Sequence, residues 1–232
     1  MSLIRVSLVI IQALANHWAF TSPNPTQEKS RYHTEEPYIL QIAPLIFKTH
    51  MRILWICGFF EILYYFSTTV SLSSVSPIAS AIVCPYTSEP RIHTSSMFLI
   101  GIIAVLLGSY IRLDCFKTLG KLFTFDLTIH PEHQLVTSRF YSYVRHPSYT
   151  GSMLLVAGLA FSHLTKGSWL TECGPLRPSG SAIVVWAAWW AWTLAVGISR
   201  ADAEDKQMRK LFPEEWEKYA TNVPWWFFPG LA

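Results

Sequence analysis

Three observations predict an all-α, polytopic integral membrane protein. Charged residues make up only 14% of the 232 residues, against roughly 25% in an ordinary globular protein. Hydrophobic residues reach 51% and aromatic residues 15%, and the mean hydropathy is +0.28. The apolar residues also gather into runs close to the ~20 residues with which a helix crosses a bilayer. So few charges cannot coat a water-soluble domain of this size, which disfavours a soluble α/β enzyme, a disordered chain and a collagen-like chain.

The apolar runs predict about five transmembrane helices. The strongest run, 181–199, contains no charged residue, and the run 96–113 contains none before Arg112. Glu61 lies alone inside another run, where it is either the partner of a buried polar group or a residue near a helix end. The five predicted spans are 3–20, 53 to about 73, 96–113, 149–164 and 181–199.

The first span has two interpretations. Arg5 precedes an apolar stretch, as in a secretory signal, and Ala13 and Ala15 are small enough to flank a cleavage site. A retained helix is favoured, because the charge distribution requires an odd number of spans.

The basic residues predict the orientation of the chain in the membrane. Of the 18 Lys and Arg residues, 14 fall in the loops 21–52 and 112–148 and in the tail from residue 200. The positive-inside rule places these regions in the cytoplasm. The formal net charge of +3 is too small to indicate a nucleic-acid partner.

The four cysteines, Cys57, Cys84, Cys115 and Cys173, have no metal-ligand spacing, and no metal is expected. Cys84 and Cys173 both fall on the predicted non-cytoplasmic side, where a disulfide between them is possible, although unpaired cysteines are favoured.

Two polar and aromatic segments beside predicted spans carry the candidate chemistry. In 133–151, Pro147 suits the first turn of a helix, and the free N–H groups of that turn predict an anion site. In 200–229, Arg200 and Glu204 are four residues apart and therefore share one helical face. A plain surface pair is the alternative, but polar groups at this depth are costly unless they serve a site. The aromatic run 225–228 is interpreted as an interfacial belt.

These residues form an ordered set of motifs. The first segment contains His133-x-Leu-Val, Tyr141 and Arg145-His146-Pro147-Ser148-Tyr149-x-Gly151. The second contains Arg200, Glu204-Asp205, Glu214-Glu215, Trp216, Tyr219 and Val223-Pro224. Over roughly 96–230, the chain resembles the isoprenylcysteine carboxyl methyltransferase family. It departs from that family's usual residues at Arg139, Asp205, Pro213 and Trp216.

The resemblance implies that S-adenosylmethionine binds over the cytosolic ends of the last spans and that Arg200 meets the substrate carboxylate. Arg200 and Glu204 would be the catalytic residues. The implied cofactor contacts are His133, Gln134, Leu135, Val136, Tyr141, His146, Pro147, Ser148, Tyr149 and Glu204.

The implied reaction is methylation of the C-terminal carboxylate of a prenylated cysteine in CaaX-processed proteins. The expected partners are those prenylated proteins and the lipid bilayer, and the expected location is the endoplasmic reticulum with the active site facing the cytosol. The expected organisation is a membrane region of helices and loops over 1–95 and a catalytic core over 96–232, which ends in a cytosolic helix.

Three alternatives remain at this stage. A phospholipid N-methyltransferase of the phosphatidylethanolamine type would share the cofactor, but its amine acceptor makes a carboxylate-binding Arg200 less useful. A sterol reductase has a similar C-terminal motif but looks longer than 232 residues. A non-enzymatic membrane interaction protein is disfavoured, because every expected ligand-binding residue type is present.

Overall fold

The computed structural model describes residues 1–25, 28–32, 37–69, 81–87 and 90–231. Within these ranges the regular structure is helical, apart from two isolated β-bridges, so the all-α prediction is confirmed. The helices are α1 (Leu3–Ala19), α2 (Tyr38–Gln41), α3 (Ala43–Thr69), α4 (Ser96–Leu119), α5 (Pro147–His163), α6 (Trp169–Glu172), α7 (Ser181–Leu211) and α8 (Pro213–Asn222), with 3-10 turns at Glu28–Ser30, Gly120–Leu122 and Arg139–Ser142.

Helices α4 and α5 form the most closely packed pair. A Cβ built on Gly101 would lie 2.5 Å from the carbonyl oxygen of Gly158, and one built on Gly108 would lie 2.6 Å from that of Gly151. Because real side chains do not fit at these distances, the glycines allow the two backbones to approach directly, as small residues do in membrane helix pairs. This pair is the scaffold of the bundle.

A buried ion pair joins the helices at one end of the bundle. Arg5 Nε donates to Glu61 Oε2 at 2.9 Å, and both side chains are almost fully buried. Arg5 also donates to the carbonyl of His93, and the backbone N–H of Trp169 donates to Glu61. Glu61 is therefore the partner of a buried polar group, which was one of its two predicted roles.

A second buried arginine joins the helices at the opposite end. Arg112 on α4 donates from Nε to the carbonyl of Ala19 at 2.7 Å, where α1 ends. Its Nη1 donates to the carbonyl and hydroxyl of Ser148 and to the hydroxyl of Ser152, in the first turns of α5. α1 runs from the Arg5 cluster to the Arg112 cluster, whereas α5 begins at the Arg112 cluster, so these two helices run in opposite directions.

Cys84 and Cys173 form a disulfide, so the expectation that they are unpaired is wrong. Both cysteines pack in a hydrophobic cluster with Val83 and Trp169, at the end of the bundle that holds Arg5 and Glu61. Cys57 and Cys115 are free and buried.

Two of the described helices are long and apolar enough to cross a membrane: α7, and α4 with the turn that follows it, while α1 is a shorter apolar helix. Large apolar side chains are exposed on both long helices, including Ile103 at 66% and Ile183 at 69%. Such surfaces suit contact with lipid rather than with water. These helices indicate an integral membrane protein, as predicted, while the count of five spans stays a prediction.

Three helices extend well beyond their predicted spans. Helix α3 begins at Ala43, about ten residues before the predicted start, while α4 continues to Leu119 and α7 to Leu211. The predicted end of the second span, beyond Thr69, lies outside the described residues. The extension of α7 places Arg200 and Glu204 on a continuous helix, which fixes their spacing on one face.

Candidate active site

A cavity lies at the end of the bundle that holds Arg112, between the first turns of α5, the second half of α7 and the loop that follows α4. It encloses about 1420 Å³ of space not filled by protein atoms, including the part open to solvent. All but one of the predicted site residues line it: His133, Gln134, Leu135, Val136, Tyr141, His146, Ser148, Tyr149, Arg200 and Glu204. The exception is Pro147, which opens α5 and is fully buried.

The two predicted polar segments meet in the wall of this cavity. His146 Nε2 lies 2.9 Å from Asp205 Oδ1, and His146 Nδ1 lies 3.3 Å from Glu204 Oε2. The hydroxyl of Tyr149 donates to Glu204 Oε1. The start of α5 and the middle of α7 therefore share one surface. Glu204 and Asp205 bind the ring of His146 and the hydroxyl of Tyr149 rather than the backbone N–H groups of the first turn of α5, so the anion site that the sequence predicts there stays a prediction.

Asp205 is held from three directions. Besides His146, it accepts a hydrogen bond from Trp226 Nε1 at 2.9 Å and forms an ion pair with Arg145 Nε at 3.2 Å. The tail is fixed in turn, because the backbone N–H groups of Arg145 and His146 donate to the carbonyls of Trp225 and Trp226. Trp226 thus supports the cavity wall through Asp205. The prediction that the run 225–228 is an interfacial belt does not include this role.

His146 is charged at neutral pH. Burial lowers the pKa of its imidazole, but the hydrogen bonds to Asp205 and Glu204 and their negative charges outweigh burial and raise the pKa to about 9. Both ring nitrogens then carry protons and donate to the two carboxylates. His146 therefore neutralises part of the negative charge of the pair and fixes the position of both side chains.

Arg200 lacks a carboxylate partner within the described part of the chain. The residue is 7% exposed. Its Nη1 donates to the carbonyl of Phe125 at 2.6 Å, whereas its buried Nε has no hydrogen-bond partner. A buried guanidinium with unused donors is costly unless an anion completes it. Since Arg200 lines the cavity, an anion bound there would satisfy it.

The loop from His133 to Val136 lines the cavity and contains backbone groups without hydrogen-bond partners among the described residues. The backbone N–H and C=O groups of Gln134, Leu135 and Val136 form no hydrogen bond with another described residue. The ring of His133 stacks on Phe212, and burial, helped by the nearby His130, lowers the pKa of His133. The loop can therefore bind a polar, flat ligand through its backbone.

Tyr141 closes the same side of the cavity. Its carbonyl accepts a hydrogen bond from the hydroxyl of Tyr219 at 2.7 Å, which connects the loop before α5 to α8. Burial raises the pKa of both phenols, so both remain neutral.

Several cavity residues are not predicted from the sequence. Tyr32 comes from the loop after α1 and Phe125 from the loop after α4, and neither lies in a motif. Arg112 does have a sequence signal, because it is the first charge in an otherwise uncharged apolar run. Among the described residues, no group of three or more His, Cys, Asp or Glu side chains is placed to hold a metal ion.

Comparison with known proteins supports the resemblance. Residues 99–173 match the isoprenylcysteine carboxyl methyltransferase family. The chain is 29% identical over 126 residues to the probable protein-S-isoprenylcysteine O-methyltransferase of Oryza sativa subsp. indica, which covers 53% of this chain and 57% of that protein. It is 28% identical over 126 residues to protein-S-isoprenylcysteine O-methyltransferase B of Arabidopsis thaliana, at 53% and 55% coverage.

A more distant relative gives the same result. The protein-S-isoprenylcysteine O-methyltransferase of Dictyostelium discoideum is 26% identical over 144 residues, which are 61% of this chain and 53% of that protein. The chain therefore spans about half the length of the curated relatives that it matches. The resemblance that the motifs predict is confirmed.

Proposed function

We propose that this chain methylates the C-terminal carboxylate of a prenylated cysteine in CaaX-processed proteins and uses S-adenosylmethionine as the methyl donor. The observation that carries the proposal is the buried Arg200 in the cavity, which has no carboxylate partner among the described residues. A prenylcysteine carboxylate supplies the missing anion. The names of the relatives supply the reaction.

The residues of the cavity fit the proposed methyl donor. The unused backbone groups of Gln134, Leu135 and Val136 suit the edge of an adenine ring, and the partly exposed carboxylate of Glu204 suits the positive charges of the donor. When bound, S-adenosylmethionine supplies a methyl group activated by its sulfonium. The remaining contacts would come from His133, Tyr141, Ser148 and Tyr149, which line the same space.

We assign His146 and Pro147 to positioning rather than to direct contact. The two ring nitrogens of His146 already engage Glu204 and Asp205. Pro147 fixes the first turn of α5 from a fully buried position. Both residues would thus act on the donor through Glu204 and Tyr149.

The acceptor needs orientation more than activation. A C-terminal carboxyl group has an ordinary pKa of about 3.3–3.7, so it is ionised at neutral pH and no general base is required. Arg200 can bind such a carboxylate through its planar donors. Orientation of two ligands in line can contribute up to roughly 7–11 kcal/mol to catalysis in well-positioned reactions, and this part of the task falls to the cavity wall.

An apolar arm of the cavity suits the prenyl group. Four apolar residues line the same space as Arg200: Phe20 at the end of α1, Phe47 on α3, Met153 on α5 and Val196 on α7. A lipid chain placed among them leaves its carboxylate at the polar end.

We propose that the cavity faces the cytosol and, by the resemblance, that the membrane is that of the endoplasmic reticulum. The disulfide between Cys84 and Cys173 supports this orientation, because disulfides persist in oxidising compartments and this one lies at the end opposite the cavity. The 14 basic residues on the cavity side support it as well. The division of the chain into 1–95 and 96–232 stays a prediction. In the structure, α1 packs against both α3 and α4, so the helices of the two predicted regions belong to one bundle.

The test uses membranes that express the chain, a labelled methyl donor and two acceptors. N-acetyl-S-farnesylcysteine should become a base-labile methyl ester, and phosphatidylethanolamine should remain unlabelled. Label on the lipid amine alone would replace the proposal with a phospholipid N-methyltransferase. Membranes that express Arg200→Ala serve as the background control.

A further inference from the structure

A short segment after α1 pairs with the loop that follows α4. The backbone N–H of Tyr32 donates to the carbonyl of Leu127 at 2.9 Å, and the N–H of Ile129 donates to the carbonyl of Ser30 at 3.0 Å. Arg31 and Thr128 form an antiparallel bridge between these bonds, and Arg31 forms an ion pair with Asp126 at 3.1 Å. The pairing fixes the position of Tyr32 relative to the cavity.

Asn24 anchors the same segment a second time. Its Nδ2 donates to the carbonyls of Gly120 and Phe123 at 2.7 and 2.8 Å. The segment therefore lies against the loop that also carries Phe125, the residue whose carbonyl binds Arg200. A residue far from the motifs in the chain is thereby brought to the polar end of the site.

The side chain of Tyr32 enters the cavity beside the two proposed catalytic residues. Tyr32, Arg200 and Glu204 line one continuous space. Burial first, and then the negative charge of Glu204, raise the pKa of the Tyr32 phenol against the opposing charge of Arg200, so the hydroxyl keeps its proton. Within the described ranges, that hydroxyl has no hydrogen-bond partner.

We infer that Tyr32 is a substrate-binding residue that donates a hydrogen bond to the acceptor carboxylate held by Arg200. The inference rests on the proposed function and deepens it. A neutral O–H and a guanidinium would then share the two carboxylate oxygens, and the segment with Tyr32 would cover them from solvent. Because methyl transfer removes the negative charge of the carboxylate, this hydrogen bond is stronger before the reaction than in the transition state.

The test compares Tyr32→Phe with wild type for two ligands, N-acetyl-S-farnesylcysteine and its C-terminal amide. Calorimetry on the purified full chain in detergent should give a Kd for the acid that rises about tenfold in the variant, the effect of one hydrogen bond to a charged group. The Kd for the amide should rise clearly less, because a hydrogen bond to a neutral carbonyl is weaker than one to a carboxylate. In the methylation assay KM should rise with kcat not reduced. Tyr38→Phe is the matched control, because Tyr38 is 74% exposed on α2.

Three outcomes would overturn the inference. An unchanged Kd for the acid in Tyr32→Phe would mean that the hydroxyl does not contact the carboxylate. An equal loss of affinity for acid and amide would mean that the hydroxyl supports a feature common to both ligands and does not recognise the carboxylate. If wild type neither binds nor methylates the acid, the proposed function fails and the inference fails with it, whereas either of the first two outcomes leaves the proposed function standing.

Discussion

His146 Nε2 lies 2.9 Å from Asp205 Oδ1 and joins the first residue before α5 to the middle of α7. This contact holds the two halves of the cavity wall together, because the same imidazole reaches Glu204 through its other nitrogen. The wall therefore depends on the protonation of one buried side chain.

That dependence predicts a change of stability with pH. The pKa of His146 is about 9 in the folded protein and about 6.5 in an unfolded chain. Its contribution is fully present below pH 6.5 and is lost as the pH rises through 9, and it is of the order of 3 kcal/mol. Thermal unfolding of wild type should therefore occur at lower temperature as the pH rises from 6.5 to 9.5.

His146→Gln is the comparison for this prediction. The variant has no titrating group at this position, so its unfolding temperature should vary less over the same pH range. Equal pH dependence in the two proteins would show that the contact between His146 and Asp205 does not control the stability of the wall.

Arg200 is expected to determine acceptor binding. Arg200→Ala should lower kcat/KM for N-acetyl-S-farnesylcysteine by at least about thirtyfold, which corresponds to about 2 kcal/mol or more for the loss of a buried charged partner. Most of the loss should appear in KM. Arg200→Lys should recover only part of it, because an ammonium group cannot reproduce the planar fork.

The matched control for Arg200 lies on the same helix. Arg209 forms an ion pair with Glu217 in which both side chains are more than half exposed, so Arg209→Ala should leave kcat/KM nearly unchanged. Equal effects of the two substitutions would contradict the assignment of Arg200.

Glu204 is expected to determine affinity for the methyl donor. Its carboxylate accepts hydrogen bonds from Tyr149 and His146 and lines the cavity. Glu204→Ala should weaken binding of S-adenosylmethionine about tenfold or more, and should weaken binding of S-adenosylhomocysteine less, since that product lacks the sulfonium charge. Calorimetry with the two nucleosides measures the difference.

Asp202→Ala provides the reference for that measurement. Asp202 lies two residues after Arg200 in α7 and therefore on roughly the opposite face of the helix; it pairs with Lys206, and its side chain is 46% exposed. A similar loss of donor affinity in this variant would mean that the effect of Glu204 is one of general charge rather than of contact.

The sequence predicted the polar centre of the site because local spacing determines it. Arg200 and Glu204 lie four residues apart on a continuous helix, and Pro147 begins α5 as proposed. The motifs that contain His146 and Tyr149 also meet α7 as the proposed site requires. Helical period and capping are local properties, so they are readable without the fold.

The residues that the sequence did not predict reach the site through long-range pairing. Tyr32 enters because residues 30–32 pair with 127–129, nearly a hundred positions along the chain. Trp226 reaches Asp205 because the tail pairs with Arg145 and His146. Neither pairing leaves a periodic pattern in the sequence. An aromatic residue near the end of a membrane helix also looks the same in the sequence whether it contacts lipid or supports a site.

The hydropathy pattern also did not predict where the helices begin and end. A hydropathy run measures the apolar part of a helix, whereas residues such as Ala203, Lys206 and Met208 continue α7 because they favour helix regardless of polarity. The same difference separates the predicted start of the second span from Ala43, where α3 begins.

The buried pair of Arg5 and Glu61 gives a stability test of α1. The side chains are 1% and 0% exposed, so removal of one partner leaves an uncompensated buried charge. Arg5→Ala should lower the free energy of unfolding by about 3–5 kcal/mol, and the double variant Arg5→Met with Glu61→Gln should recover part of that loss. Denaturation in mixed detergent micelles measures both.

Arg91→Ala, at an exposed position near the same end, should stay within about 0.5 kcal/mol of wild type. A wild-type stability for Arg5→Ala would indicate that residues 1–20 are not part of the folded protein, as expected for a cleaved signal, whereas the predicted loss requires a retained α1 packed against α3.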